Sequence, residues 1–157
     1  MKKIFSILFF TIVSILSFAQ EKSTKDCDTC VYDLVAIQKQ PEFSGGDAAL
    51  IDFLKLNFKY PSSAKDMQLQ GKVFVTFVIN KIGNVTEIKI YKGINPPKEK
   101  DGKKLKKKLQ KKYEDAAKEM NDEALRVVGL MPKWSPGMQN DKYVNVRYIL
   151  PISYKLQ

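Results

Sequence analysis

Near its end this 157-residue chain places Val144, Val146, Tyr148, Leu150, Ile152 and Tyr154 at alternate positions, with Asn145, Arg147 and Ser153 between them. A period of two puts one set of side chains on a buried face and the other in solvent, the pattern of a half-buried antiparallel strand. Such a strand needs a sheet to join and a second layer to cover it. Pro151 interrupts the run. Proline cannot donate to a ladder, so a strand that carries one belongs at a sheet edge. An exposed edge can accept a strand from another chain.

The preceding segments supply the rest of the sheet and its cover. Gly71 opens a strand over Lys72–Asn80, in which Val73, Val75, Phe77 and Ile79 form one face while Phe74 and Val78 make the other apolar too. A strand apolar on both faces is central in its sheet. Residues 80–84 turn the chain, with asparagine and glycine to take positive φ, and Val85–Tyr91 returns as the second strand of a hairpin. Leu105, Leu109, Tyr113, Ala116, Met120, Ala124, Val127 and Met131 recur at steps of three and four, which predicts one long helix from Lys103 to Met131. A helix between the hairpin and the closing strand, with a right-handed crossover, gives the sheet order second, first, third. Ahead of the hairpin, Pro41–Gly46 reads as a loop. An amphipathic helix follows, with Asp47 as N-cap or first-turn acid and Leu50, Ile51, Phe53, Leu54 and Phe58 facing inward. Tyr60–Pro61 stops it, and Ser62 or Ser63 caps a second short helix. Trp134 sits between Pro132 and Pro136 and reads as core. Glu123 and Arg126, three apart, read as a structural helix pair.

The ends and the charge bound the function. Lys2 and Lys3, the apolar run Ile4–Phe18 and Ser17–Phe18–Ala19 before Gln20 make residues 1–19 an expected signal peptide. The apolar run is shorter than the roughly 20 residues needed to span a bilayer, so the expected location is periplasmic, with an inner-membrane anchor if the segment is retained. Residues 20–40 are an expected flexible linker carrying Cys27 and Cys30, a candidate disulfide in an oxidising compartment. The expected folded domain covers 41–157. The net charge of +10 is concentrated between Lys98 and Lys112, where nine lysines face only Glu99 and Asp101. Residues 96–118 therefore read as a lysine-rich insertion that extends the long helix into solvent. Lys103, Lys104, Lys106, Lys107, Lys108, Lys111 and Lys112 are a candidate contact with an anionic envelope surface. Only Tyr113 is an aromatic near them, so nucleic acid is not an expected partner. The chain has no histidine, no cysteine within the expected domain and no paired carboxylates at a recognisable spacing. No catalytic, cofactor-binding or metal-binding residue is expected, and the chain does not read as an enzyme.

With these motifs placed, residues 40–157 resemble the TonB C-terminal domain family, in the subgroup with an FPGG-like motif before the first helix. The resemblance rests on Pro41–Gly46, Ala49–Leu50, Phe53–Leu54, Asn57, Tyr60–Pro61, Ala64, Gln70–Val73, Phe77–Val78, Gly83, Glu123–Arg126, Met131–Trp134, Pro136–Gly137, Val144 and Pro151. Ser44 stands where the motif has proline, and 96–118 is longer than the usual connection. The resemblance implies an α+β fold: a three-stranded antiparallel sheet with helices on one face. It implies a periplasmic binding module in TonB-dependent transport, passing on force from an inner-membrane motor. In such modules a short N-terminal segment of an outer-membrane transporter, the TonB box, adds as a strand beside the last strand. Carried onto this chain, the partner-binding row is Tyr143, Val144, Asn145, Val146, Arg147, Tyr148 and Ile149, flanked by Tyr60 and Pro61. The other reading of the same edge is a homodimer, in an envelope assembly protein that holds an anionic surface through its lysines.

Overall fold

The structure, a computed structural model, describes residues 30–100 and 102–156. The expected signal peptide, the linker up to residue 29 and Cys27 lie outside the described residues. The expected α+β architecture is present. The elements run β1 (Val31–Asp33), a 3-10 turn at Leu34–Ala36, α1 (Gly46–Asn57), α2 (Ser62–Asp66), β2 (Gly71–Ile79), β3 (Val85–Lys92), β4 (Glu99–Lys100), β5 (Lys103–Lys104), α3 (Lys107–Gly129), β6 (Gly137–Gln139) and β7 (Lys142–Tyr154). The main sheet has the order β1-β7-β2-β3, with β6 also paired to β7.

β2 pairs with β7 along its whole length, from Gly71 opposite Tyr154 to Ile79 opposite Val146. On its other side β2 pairs with β3, with a bulge where Glu87 adopts φ 51° and the register shifts between Thr76 and Val78. A bulge of this kind bends the strand and strengthens its twist. Val73, Val75, Phe77 and Ile79 of β2 and Val146, Ile152 and Tyr154 of β7 are buried beneath the helices, and Val78 is buried on the opposite face. The helical layer contributes Leu50, Ala64, Tyr113, Ala116, Met120, Ala124 and Val128 to the same core.

The aromatic half of this core is built on Trp134. Its ring packs edge-on to Phe43 and Phe77, with centroids 5.4 and 5.9 Å away, and tilts against Tyr148 at 5.2 Å. Arrangements of this geometry add to the stabilisation from burial. The β2–β3 turn docks on the same residue. Asn80 Oδ1 accepts from the N–H groups of Ile82 and Asn84, and the Gly83 carbonyl accepts from Trp134 N–H at 2.9 Å.

Four expectations need correction. The sheet has five strands rather than three, because Val31–Asp33, placed in the linker by sequence, forms β1, and Gly137–Gln139 forms β6 against β7. Local pattern misses both strands because each is three residues long and takes its ladder from β7. The long helix starts at Lys107, not Lys103. Lys103 and Lys104 belong to a small hairpin with Glu99–Lys100, and Gly102 in its turn has φ 70°. The first part of α3 does not project from the fold, since Tyr113 is buried and Leu105 and Leu109 pack against the core. Ile51 faces solvent rather than the core.

Candidate functional site

β7 carries the candidate partner-binding row, and two short strands, β6 and β1, pair with successive parts of its first half, β1 on the side away from β2. β6 pairs antiparallel with Lys142–Val144, through a hairpin whose two turn residues, Asn140 and Asp141, both have positive φ. Two successive positive-φ residues make the turn that suits the twist of a tight hairpin. β1 pairs in parallel with the next three residues, Val31 opposite Asn145, Tyr32 opposite Val146 and Asp33 opposite Arg147. The row expected to be open from Tyr143 to Ile149 is therefore covered by β1 at Asn145–Arg147. A homodimer that joined β7 edge to edge at Asn145–Arg147 needs the same backbone groups, which β1 already holds. The correction has a physical cause. The chain ahead of the domain's first helix folds back to satisfy outward N–H and C=O groups of β7. Among the described residues, β7 from Tyr148 to Tyr154 is paired to β2 alone, and Pro151 falls in that stretch.

Side chains in the row divide by face. Val144 and Val146 are buried, Tyr148 is half-buried, and Tyr143, Arg147 and Ile149 are exposed. Asn145 joins three elements: its Oδ1 accepts from Lys81 N–H at 3.2 Å and its Nδ2 donates to the Cys30 carbonyl at 3.5 Å. Past Arg147, Tyr148 lines a cleft of about 330 Å³ together with Gln40, Pro41, Glu42, Phe43, Asp47 and Trp134. Burial and, second, the Asp47 charge raise the Tyr148 pKa, so its hydroxyl is a neutral donor there.

Tyr60 and Pro61 do not flank this part of β7. Tyr60 packs edge-on against Tyr154, at the opposite end of the strand from Tyr143, and donates to the Leu69 carbonyl at 2.6 Å. Pro61 lines a shallow cleft with Lys59, Glu119, Asp122, Glu123 and Arg126. There Arg126 grips Glu123 through two hydrogen bonds of 2.7 Å and reaches the Asn57 carbonyl at 2.7 Å, while Glu123 accepts from Lys59 N–H. The pair thus staples the end of α1 to α3.

Cys30 is disulfide-bonded and stands directly before β1. The seven candidate lysines are all exposed and lie on two elements, β5 with its connection and the first two turns of α3. Lys98, Lys104 and Lys107 line a cleft of about 390 Å³ with Leu105 and Gln110. Among the described residues there is no cluster of three or more side chains able to hold a metal ion, and no helix is long and apolar enough to cross a membrane. Sequence pattern did not single out β1 or its place on β7.

Residues 57–100 match the family model described as Gram-negative bacterial TonB protein C-terminal. This segment is similar to the TonB C-terminal domain family. It covers the end of α1, α2, the β2–β3 hairpin and β4, the part of the fold that holds the central strand. A solution structure of the Helicobacter pylori TonB C-terminal domain is similar at 24% identity, covering 69% of this chain and 78% of that one, with a TM-score of 0.37. No curated protein is a significant match.

Proposed function

We propose that this chain is a TonB-like binding module of the cell envelope that takes an extended segment of an outer-membrane transporter as an added strand on the outer side of β7. One observation carries the reading: this side of β7 is receptive to a short parallel strand at Asn145–Arg147, since β1 sits there, and among the described residues its backbone has no outer strand partner from Tyr148 onward. Strand addition draws affinity from main-chain hydrogen bonds and selectivity from alternate side chains. On this edge the selecting side chains are Arg147 and Ile149 on the open face, with the Tyr148 cleft on the other. The test is titration of the exported protein with synthetic peptides copying transporter N-terminal segments, followed by NMR. Shift changes confined to Asn145–Tyr154 are expected. Tight binding with shifts confined to α3 would reassign the site, and no binding at all would sink the reading.

A second surface accompanies the first. The hairpin β4–β5 and the start of α3 bring Lys98, Lys104 and Lys107 around one cleft, with Lys103, Lys106, Lys108, Lys111 and Lys112 exposed beside it. We infer that this end rests on an anionic envelope surface while β7 engages its partner. Clustered lysines bind such surfaces with an affinity that falls as salt rises. Cosedimentation with phosphatidylglycerol vesicles should drop at least tenfold when the seven lysines from 103 to 112 become glutamine. Binding that survives both this change and high salt would refute it.

A further inference from the structure

We propose that β1 is a built-in competitor for the edge of β7: Val31–Asp33 occupies Asn145–Arg147 in cis, and an incoming extended segment docks by displacing it. The inference rests on the reading of β7 as a strand-accepting edge and adds how that edge is regulated.

Three observations carry it. First, β1 is attached by little beyond backbone. Val31 and Tyr32 are only half-buried, Asp33 is exposed, and the turn that follows buries nothing, with Val35 94% exposed. The pairing is three residues long and parallel, the weaker ladder geometry. Second, the domain is fastened independently a few residues further on. Lys39 and Met138 exchange two backbone hydrogen bonds of 3.1 and 2.9 Å, and Glu42 and Ser135 exchange two of 3.0 and 2.7 Å. β1 can therefore leave while the chain stays anchored from Lys39. The five residues 34–38 between strand and anchor form a short tether. A short tether keeps the displaced strand at high effective concentration, so a weak strand still competes well. Third, β1 displays the chemistry that the edge accepts. Paired residues of adjacent strands share a face, so Tyr32 lies on the helix-covered face with Val146. Val31 and Asp33 lie on the open face, with Asp33 across from Arg147. The displacing segment is therefore one with an apolar or aromatic residue over Val146 and an acidic residue opposite Arg147.

The test uses the full chain and a variant with Val31→Pro, Tyr32→Pro and Asp33→Pro, which removes every N–H that β1 can offer. The probe is an acetylated, amidated peptide of residues 31–37. The variant should keep its folded spectrum and bind the probe at least tenfold more tightly than the unaltered protein, with shifts at Asn145–Arg147. Equal affinity for both proteins overturns the proposal, and so does a variant that dimerises through the freed edge without taking up the probe. Should the variant fail to fold, hydrogen exchange on the unaltered protein decides. Amides in the β1–β7 ladder should exchange at least a hundredfold faster than those in the β2–β7 ladder, and exchange of both sets at one common rate refutes local release. Transporter peptides that bind neither protein, while the probe binds the variant, would remove the proposed function and leave this device standing.

Discussion

Gly83 shows how one position can serve two demands. Its φ of 83° meets the need of the turn, and a Cβ there would lie 2.0 Å from the Trp134 carbonyl oxygen. The obstruction is backbone, which cannot rotate away. Gly83→Ala should cost about 3 kcal/mol, read as a lowered denaturant midpoint, and should shift the resonances of Trp134. The sequence makes the turn requirement visible, but the contact with Trp134 joins residues far apart in the chain. Tyr154 is a second such position. Its hydroxyl donates to the Met120 carbonyl inside the core, and burial, followed by the charge of Glu123 and Tyr60, raises its pKa above the ordinary 10.0. A raised tyrosine pKa means that the native state holds a proton the unfolded chain releases. The associated stability is therefore complete below pH 10 and declines as pH rises past it. Tyr154→Phe should lower stability by about 1 kcal/mol at neutral pH and flatten the alkaline limb of the stability profile.

Among the elements, α3 does the most to tie the helical layer together, and Glu123 is its link to α1. Burial of the carboxyl opposes its charge, yet the Arg126 guanidinium and Lys59 N–H outweigh it and hold the Glu123 pKa below the ordinary 4.5. A lowered carboxyl pKa contributes stability that is present above the unfolded value and lost as pH falls through the native one. Glu123→Gln should remove this acid-limb component and cost about 1 kcal/mol at pH 7, since Arg126 is 42% exposed and solvent screens the pair. Urea titrations of both proteins from pH 7 to pH 3 measure it. The spacing of Glu123 and Arg126 was legible as a helix pair. The Asn57 and Lys59 backbone groups that complete the staple were not, because they come from another helix.

For the whole molecule, the sheet separates a stable centre from a labile rim. Among the described residues β2 is paired on both sides, whereas β1 has one strand partner and no fully buried side chain. Local opening follows such differences in burial and pairing, so limited proteolysis of the folded protein should cut first around Val35–Gln38, releasing β1 with the core intact. First cleavage within β2 or β3 would contradict this layout. What the sequence determined by itself was the centre. Alternation in β2 and β7, the glycine and asparagine turn and the apolar stripe of α3 are periodic, and periodicity is local information that survives without coordinates. Pro151 likewise announced a strand with an open side, and β7 is open there. What only the tertiary structure decided was the pairing of that strand with β6 at Lys142–Val144 and its cover by β1 at Asn145–Arg147. Three-residue strands have too few alternations to declare themselves, and their register comes entirely from the backbone groups of β7 that they satisfy. The closing strand is thus an edge that its own chain already takes at Asn145–Arg147.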